Sequence, residues 1–117
     1  LTYTRTFTNE EVTQFAELSK DEGYHHMVGN DDGQVVLHGL LTATMPTKLG
    51  GDMNYVARTM DFEFPNPVYT GVEITCETTI EHVEEGDGRT KLEATYRCET
   101  DDGVVVLRGE TEGVVLG

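Results

Sequence analysis

From Met60 onward the chain alternates with a period of two, and this constrains its fold more than any other feature. Met60, Phe62 and Phe64 alternate with Asp61 and Glu63. Val72, Ile74, Cys76 and Ile80 alternate with Glu73, Thr75, Glu77, Thr79 and Glu81. Leu92, Ala94, Tyr96 and Cys98 alternate with Lys91, Glu93, Thr95, Arg97 and Glu99. Successive side chains of a strand point to opposite faces, so each run carries one apolar and one polar face. Such strands belong to an antiparallel sheet covered on one side only. Glu85-Gly86-Asp87-Gly88 and Asp101-Asp102-Gly103 supply the hairpin turns, and residues 104–115 are the predicted last strand.

The first half must then supply the cover for that sheet. Residues 2–7 are a predicted first strand, with Tyr3, Arg5 and Phe7 on one side. Thr8-Asn9-Glu10-Glu11 is a capping-box pattern, and Val12, Phe15, Ala16 and Leu18 follow at helical spacing. That helix is expected to end by residues 21–23. Residues 26–34 are polar and rich in turn formers, and 35–37 form a short apolar stretch. His38-Gly39 opens a second helix, in which Leu40, Leu41, Ala43, Thr44, Met45 and Leu49 are apolar or small almost all round. A helix of that kind is buried. Pro46 should kink or shorten it, and Gly50-Gly51 should end it. One long sheet and one apolar helix have a natural solution, in which the sheet wraps around the helix. The expected fold is therefore α+β, a hot-dog arrangement, with residues 1–117 forming one domain.

The charge balance excludes some partners. Twenty-two acidic residues stand against eight basic ones, a net charge of −14. Such a surface repels phosphate backbones, so nucleic acid is not an expected partner. Only Lys20, Lys48 and Lys91 supply lysine. An acidic, lysine-poor surface resembles proteins of salt-loving microbes and points to a haloarchaeal source. The longest apolar run, 104–107, is far short of a membrane span, and no basic-then-apolar leader opens the sequence. The expected location is cytoplasmic, with no membrane partner. Cys76 and Cys98 fall at apolar strand positions without metal-like spacing, as buried structural thiols do.

Two short segments could carry chemistry. Ser19-Lys20-Asp21-Glu22-Gly23-Tyr24-His25-His26 follows the first helix, and Leu37-His38-Gly39-Leu40-Leu41 opens the second. An Asp and a His five residues apart in a turn can converge on one small molecule as an acid–base pair. A helix N-terminus offers free backbone N–H groups that can hold a developing oxyanion.

These segments resemble the MaoC-like dehydratases, the (R)-specific enoyl-CoA hydratase family. Its members carry an Asp-x-Asn-Pro-x-His turn after a capped helix and then a His-Gly-Met-Leu helix start. This chain reads Asp-Glu-Gly-Tyr-His-His at 21–26 and His-Gly-Leu-Leu at 38–41. The stretches FTNEEVTQFAELSKD and MDFEFPNPVYTGVEI also match the family's strand–helix and strand–Pro–Val–Gly patterns. The resemblance implies an acyl-CoA thioester substrate, water addition to a trans-2-enoyl-CoA, and a homodimer. It puts water activation on Asp21 and His26, the thioester oxygen on the Gly39 N–H, and a supporting hydroxyl on Thr44. No metal or redox cofactor is required by that chemistry. Gly23 and Tyr24 stand where the family has Asn and Pro, the stretch between His26 and His38 is shorter than the family pattern, and Pro46 interrupts the helix.

Each candidate has a plainer alternative. Asp21 could cap a helix end, and Gly39 could serve close packing. Thr44 could bond to its own preceding turn. His25 competes with His26 by adjacency. His38 is expected to be a buried histidine bonded to backbone, and His82 a surface residue. Tyr24, Tyr55 and Tyr69 are expected core or interface aromatics. The alternative functions are an acyl-CoA thioesterase on the same fold and a non-catalytic acyl-binding relative. A thioesterase would need a carboxylate from the central helix, and residues 40–49 contain none.

Overall fold

The computed structural model describes residues 1–116, and its elements follow the predicted order. Strand β1 (Thr2–Thr6) leads into helix α1 (Asn9–Ser19), then the short helical turns α2 (Tyr24–Met27) and α3 (Gly39–Thr42). Helix α4 (Thr44–Asp52) precedes β2 (Tyr55–Met60), β3 (Glu73–Gly86), β4 (Arg89–Thr100) and β5 (Val105–Leu116). The strands form one antiparallel sheet in the order β1-β3-β4-β5-β2. Helix α4 packs against β1, β2 and β3. The buried set joins Met45 and Leu49 of α4 to Ile74, Cys76, Tyr96, Cys98 and Leu107 of the sheet. The period-two pattern therefore faces the helix, as the alternation requires.

The capping box is formed in full. Thr8 Oγ1 accepts from the Glu11 N–H at 3.2 Å, and Glu11 Oε1 accepts from the Thr8 N–H at 3.0 Å. Lys20 ends α1 in a left-handed conformation, with its N–H donating to Ala16 O. Such a cap reverses the chain and delivers Asp21 to the surface beside the sheet.

Three expectations need correction. The central helix is two pieces, broken at Ala43. Pro46 has no N–H to donate to Thr42 O, and its ring would crowd that carbonyl. The chain therefore restarts at Thr44 and holds Pro46 in the first turn of α4, where an N–H is dispensable. The helix also runs past Gly50-Gly51 to Asp52, and Asn54 supplies the left-handed residue that ends the segment. Finally, β2 stops at Met60, and residues 61–64 do not continue it as a strand. Beyond Met60 only an isolated bridge joins Glu63 to Arg108. A side chain at Gly109 would lie 2.0 Å from Asp61 O, so the backbone crosses over that glycine closely. Pro65 and Pro67 then end any ladder, leaving Phe62 half-buried and Phe64 46% exposed.

Cys76 and Cys98 are fully buried free thiols facing one another across β3 and β4. No helix among the described residues is long and apolar enough to cross a membrane.

Candidate active site

The Asp21 turn is held from several sides. Its N–H donates to Ser19 Oγ at 3.1 Å, and the Gly23 N–H donates to Asp21 Oδ1 at 3.3 Å. Gly23 takes φ −55° and ψ 144° and opens α2, in which the His26 N–H bonds to Gly23 O and the Val28 N–H to Tyr24 O. The turn is therefore closed by helical hydrogen bonds without an Asn-Pro pair.

His26 is buried, whereas the Asp21 side chain is 57% exposed. The His26 Nδ1 lies 2.7 Å from Val36 O. A carbonyl can only accept, so Nδ1 carries a hydrogen and Nε2 is the ring nitrogen left to face the cleft. That nitrogen lies 3.7 Å from Asp21 Oδ2. The gap is too wide for a direct hydrogen bond and leaves both groups free to share a small molecule.

Gly39 begins α3 beside this pair. Its N–H, with that of Leu40, lies in the first turn of the helix, where no intrahelical acceptor exists. A side chain at Gly39 would come within 2.8 Å of the Phe64 ring, so the residue also serves close packing. Asp21, His26 and Gly39 line one cleft of about 660 Å³, walled by Phe15, Phe64 and Pro67. Thr44 lies outside it; its hydroxyl donates to Leu41 O at 2.6 Å, back across the break into α3. His25 also lines the cleft, from an exposed position beside the His26 ring.

His38 is buried at 2% exposure, with Nε2 donating to Asp21 O at 2.8 Å, the backbone bond expected of it. His82 is exposed as expected, but Tyr24 is 77% exposed and Tyr69 37%, so neither is a core aromatic; only Tyr55 is half-buried. Phe64 was missed as a site residue. Its alternation with Glu63 signalled a strand, while the Pro65 and Pro67 that break the strand were the available clue.

Asp21, His26 and His38 each offer a ligand atom within 4.8 Å of the others, the spacing of a metal cluster. The two rings, however, stack at 3.7 Å with only 15° between their planes. Their in-plane lone pairs run side by side and do not converge on one ion. A larger concavity of about 900 Å³ lies on the polar face of the sheet, between Glu77, Arg97 and Arg108. It holds no nucleophile–base pair, and its size alone does not make it the site.

No family model and no curated protein matches the sequence. Solved structures match its fold. The (R)-hydratase from A. caviae involved in PHA biosynthesis superposes with a TM-score of 0.86 at 25% identity, over 100% of this chain and 93% of that one. This chain has the hot-dog fold. A second hot-dog relative is the MaoC-like dehydratase from Rhodospirillum rubrum, at TM-score 0.77 and 18% identity over 98% of this chain and 88% of that one. A third is a hypothetical thioesterase with coenzyme A from Streptococcus pneumoniae, at TM-score 0.69 and 13% identity, over 99% and 77%.

Proposed function

We propose that this hot-dog protein is an (R)-specific enoyl-CoA hydratase that adds water to a trans-2-enoyl-CoA. The observation that carries the reading is the 3.7 Å approach of the Asp21 carboxylate to the His26 Nε2, in one cleft with the Gly39 N–H. A water between the two groups would give a proton to them while its oxygen bonds to C3 of the substrate. The C2–C3 π pair moves toward the thioester, and the enolate oxygen is met by the Gly39 N–H. A proton returned to C2 completes the addition, so the step needs no co-reactant beyond water.

The same fold carries a thioester-cleaving alternative, supported by the likeness to the S. pneumoniae protein. Against it, α4 directs no carboxylate into the cleft, and Asp52 at its far end pairs with Lys48 at 2.6 Å. The reading includes a cytoplasmic homodimer. The outer edge of β2 is unpaired, with Val56 48% and Met60 38% exposed, which is a liability unless another chain covers it. Loss of enoyl absorbance with crotonyl-CoA and longer enoyl-CoAs, in molar KCl, tests the activity. Cleavage of saturated acyl-CoAs without hydration would replace it with the thioesterase, and neither activity would leave acyl binding.

A further inference from the structure

One buried side chain touches every part of the proposed machinery. The His38 Nε2 hydrogen bonds to the backbone carbonyl of Asp21 at 2.8 Å. Its ring stacks on His26, centroid to centroid 3.7 Å and 15° between planes. Its backbone is the N-cap residue of α3, immediately before Gly39. Phe15 packs against the same ring, with centroids 4.9 Å apart. The Nδ1 is buried and has no partner.

These contacts fix the chemical state of both rings. The Asp21 carbonyl can only accept, so His38 carries its hydrogen on Nε2. His26 carries its own on Nδ1, toward Val36 O. The two stacked imidazoles are thus opposite tautomers, one spent on holding backbone and the other presenting a free nitrogen to the cleft. The His38 ring lies as a π face against His26, the ring that would gain a proton during turnover.

We infer that His38 is a positioning residue that fixes Asp21 and His26 in register with the Gly39 N–H. It orders the reacting groups without touching substrate. The inference rests on the hydratase reading for its catalytic meaning, but its geometric content can be tested apart from activity. His38→Phe keeps a stacking ring and removes the donor to Asp21 O. His38→Gln restores an N–H at the same reach and removes the ring.

Misplacement of a catalytic group by about 1 Å costs on the order of 100-fold. His38→Phe is expected to lower kcat by roughly 10- to 100-fold per folded molecule, with KM nearly constant. His38→Gln is expected to recover a substantial part of that loss. In parallel, the ¹⁵N resonance of His26 Nε2 reports its distance from the Asp21 carboxylate. It should move in Asp21→Asn, move in the same direction in His38→Phe, and return toward wild type in His38→Gln. Loss of kcat in proportion to melting temperature, equal in both His38 variants, would make the residue merely structural and overturn the inference. So would a His26 resonance that stays at its wild-type position in His38→Phe while Asp21→Asn shifts it. If the wild type hydrates no enoyl-CoA, the functional reading fails, and the resonance comparison still decides the positioning claim.

Discussion

Tyr24→Pro would place in this turn the proline of the MaoC-like pattern, and the backbone is already arranged to accept it. Tyr24 is the first residue of α2, where an N–H has no intrahelical acceptor. The residue before a proline must be extended, and Gly23 is, at φ −55° and ψ 144°. The Tyr24 side chain is 77% exposed, so little packing is lost. What remains is the entropy removed from the unfolded chain, about 0.4–1 kcal/mol in favour of folding at a compatible site. This corresponds to roughly a two- to fivefold gain in the folding equilibrium. Urea titration of both proteins, fitted with a common slope, would measure it. Hydratase turnover should hold or rise, because α2 carries His26. Destabilisation by more than about 1 kcal/mol would show that Tyr24 donates a needed hydrogen bond or has a φ that proline cannot adopt, refuting the description of the turn.

Other outcomes follow from the same geometry. Thr8→Ala removes the N-cap acceptor of α1 and should cost about 0.5–2 kcal/mol by chemical denaturation. The Thr8 N–H, then Arg5, hold the Glu11 carboxyl below its ordinary value. Its stabilising share is therefore full above the ordinary carboxylate range and lost as pH falls through the lowered folded value. The stability gap between wild type and Glu11→Gln should narrow on acidification, and a gap that widens would contradict the assignment. Gly39→Ala pushes a methyl within 2.8 Å of the Phe64 ring, which is half exposed and can yield. Stability should change by less than about 1 kcal/mol, whereas kcat/KM should fall about tenfold or more as the cleft wall moves. If the −14 charge is a salt adaptation, melting temperature should climb steeply from low to molar KCl, and a flat profile would remove the halophile expectation.

The sheet was legible because its signal is local. Period-two alternation in β3 and β4 needs only neighbouring residues, and Ile74, Cys76, Leu92, Ala94, Tyr96 and Cys98 are buried where the pattern put them. The Asp21 and His26 positions came from the spacing of a turn and its resemblance to a family. The misplaced features depend on contacts far apart in sequence. Nothing local says that Asp61 must cross over Gly109, or that Phe64 will turn onto Gly39. The break at Ala43 was half legible, since Pro46 signalled a kink without fixing its place. Thr44 was assigned from register, but at a helix break its hydroxyl is taken by the nearest carbonyl, Leu41 O. The tie between His38 and Asp21 spans 17 residues, so it emerges only once both segments are folded.

The paired action of Asp21 and His26 is the centre of this account, and hydration kinetics of their variants test it most directly. Asp21→Asn keeps the side-chain volume and removes the proposed base. Kinetic constants for wild type, Asp21→Asn, His26→Ala, the double variant and His25→Ala would be measured with crotonyl-CoA, each checked for folding. Each single variant at 21 or 26 should lose roughly 10²–10⁴-fold in kcat, and the double variant should lose little more, because the two groups act as one unit. His25→Ala should leave most of the activity in place. Full activity in Asp21→Asn, or loss in His25→Ala with none in His26→Ala, would contradict the assignment.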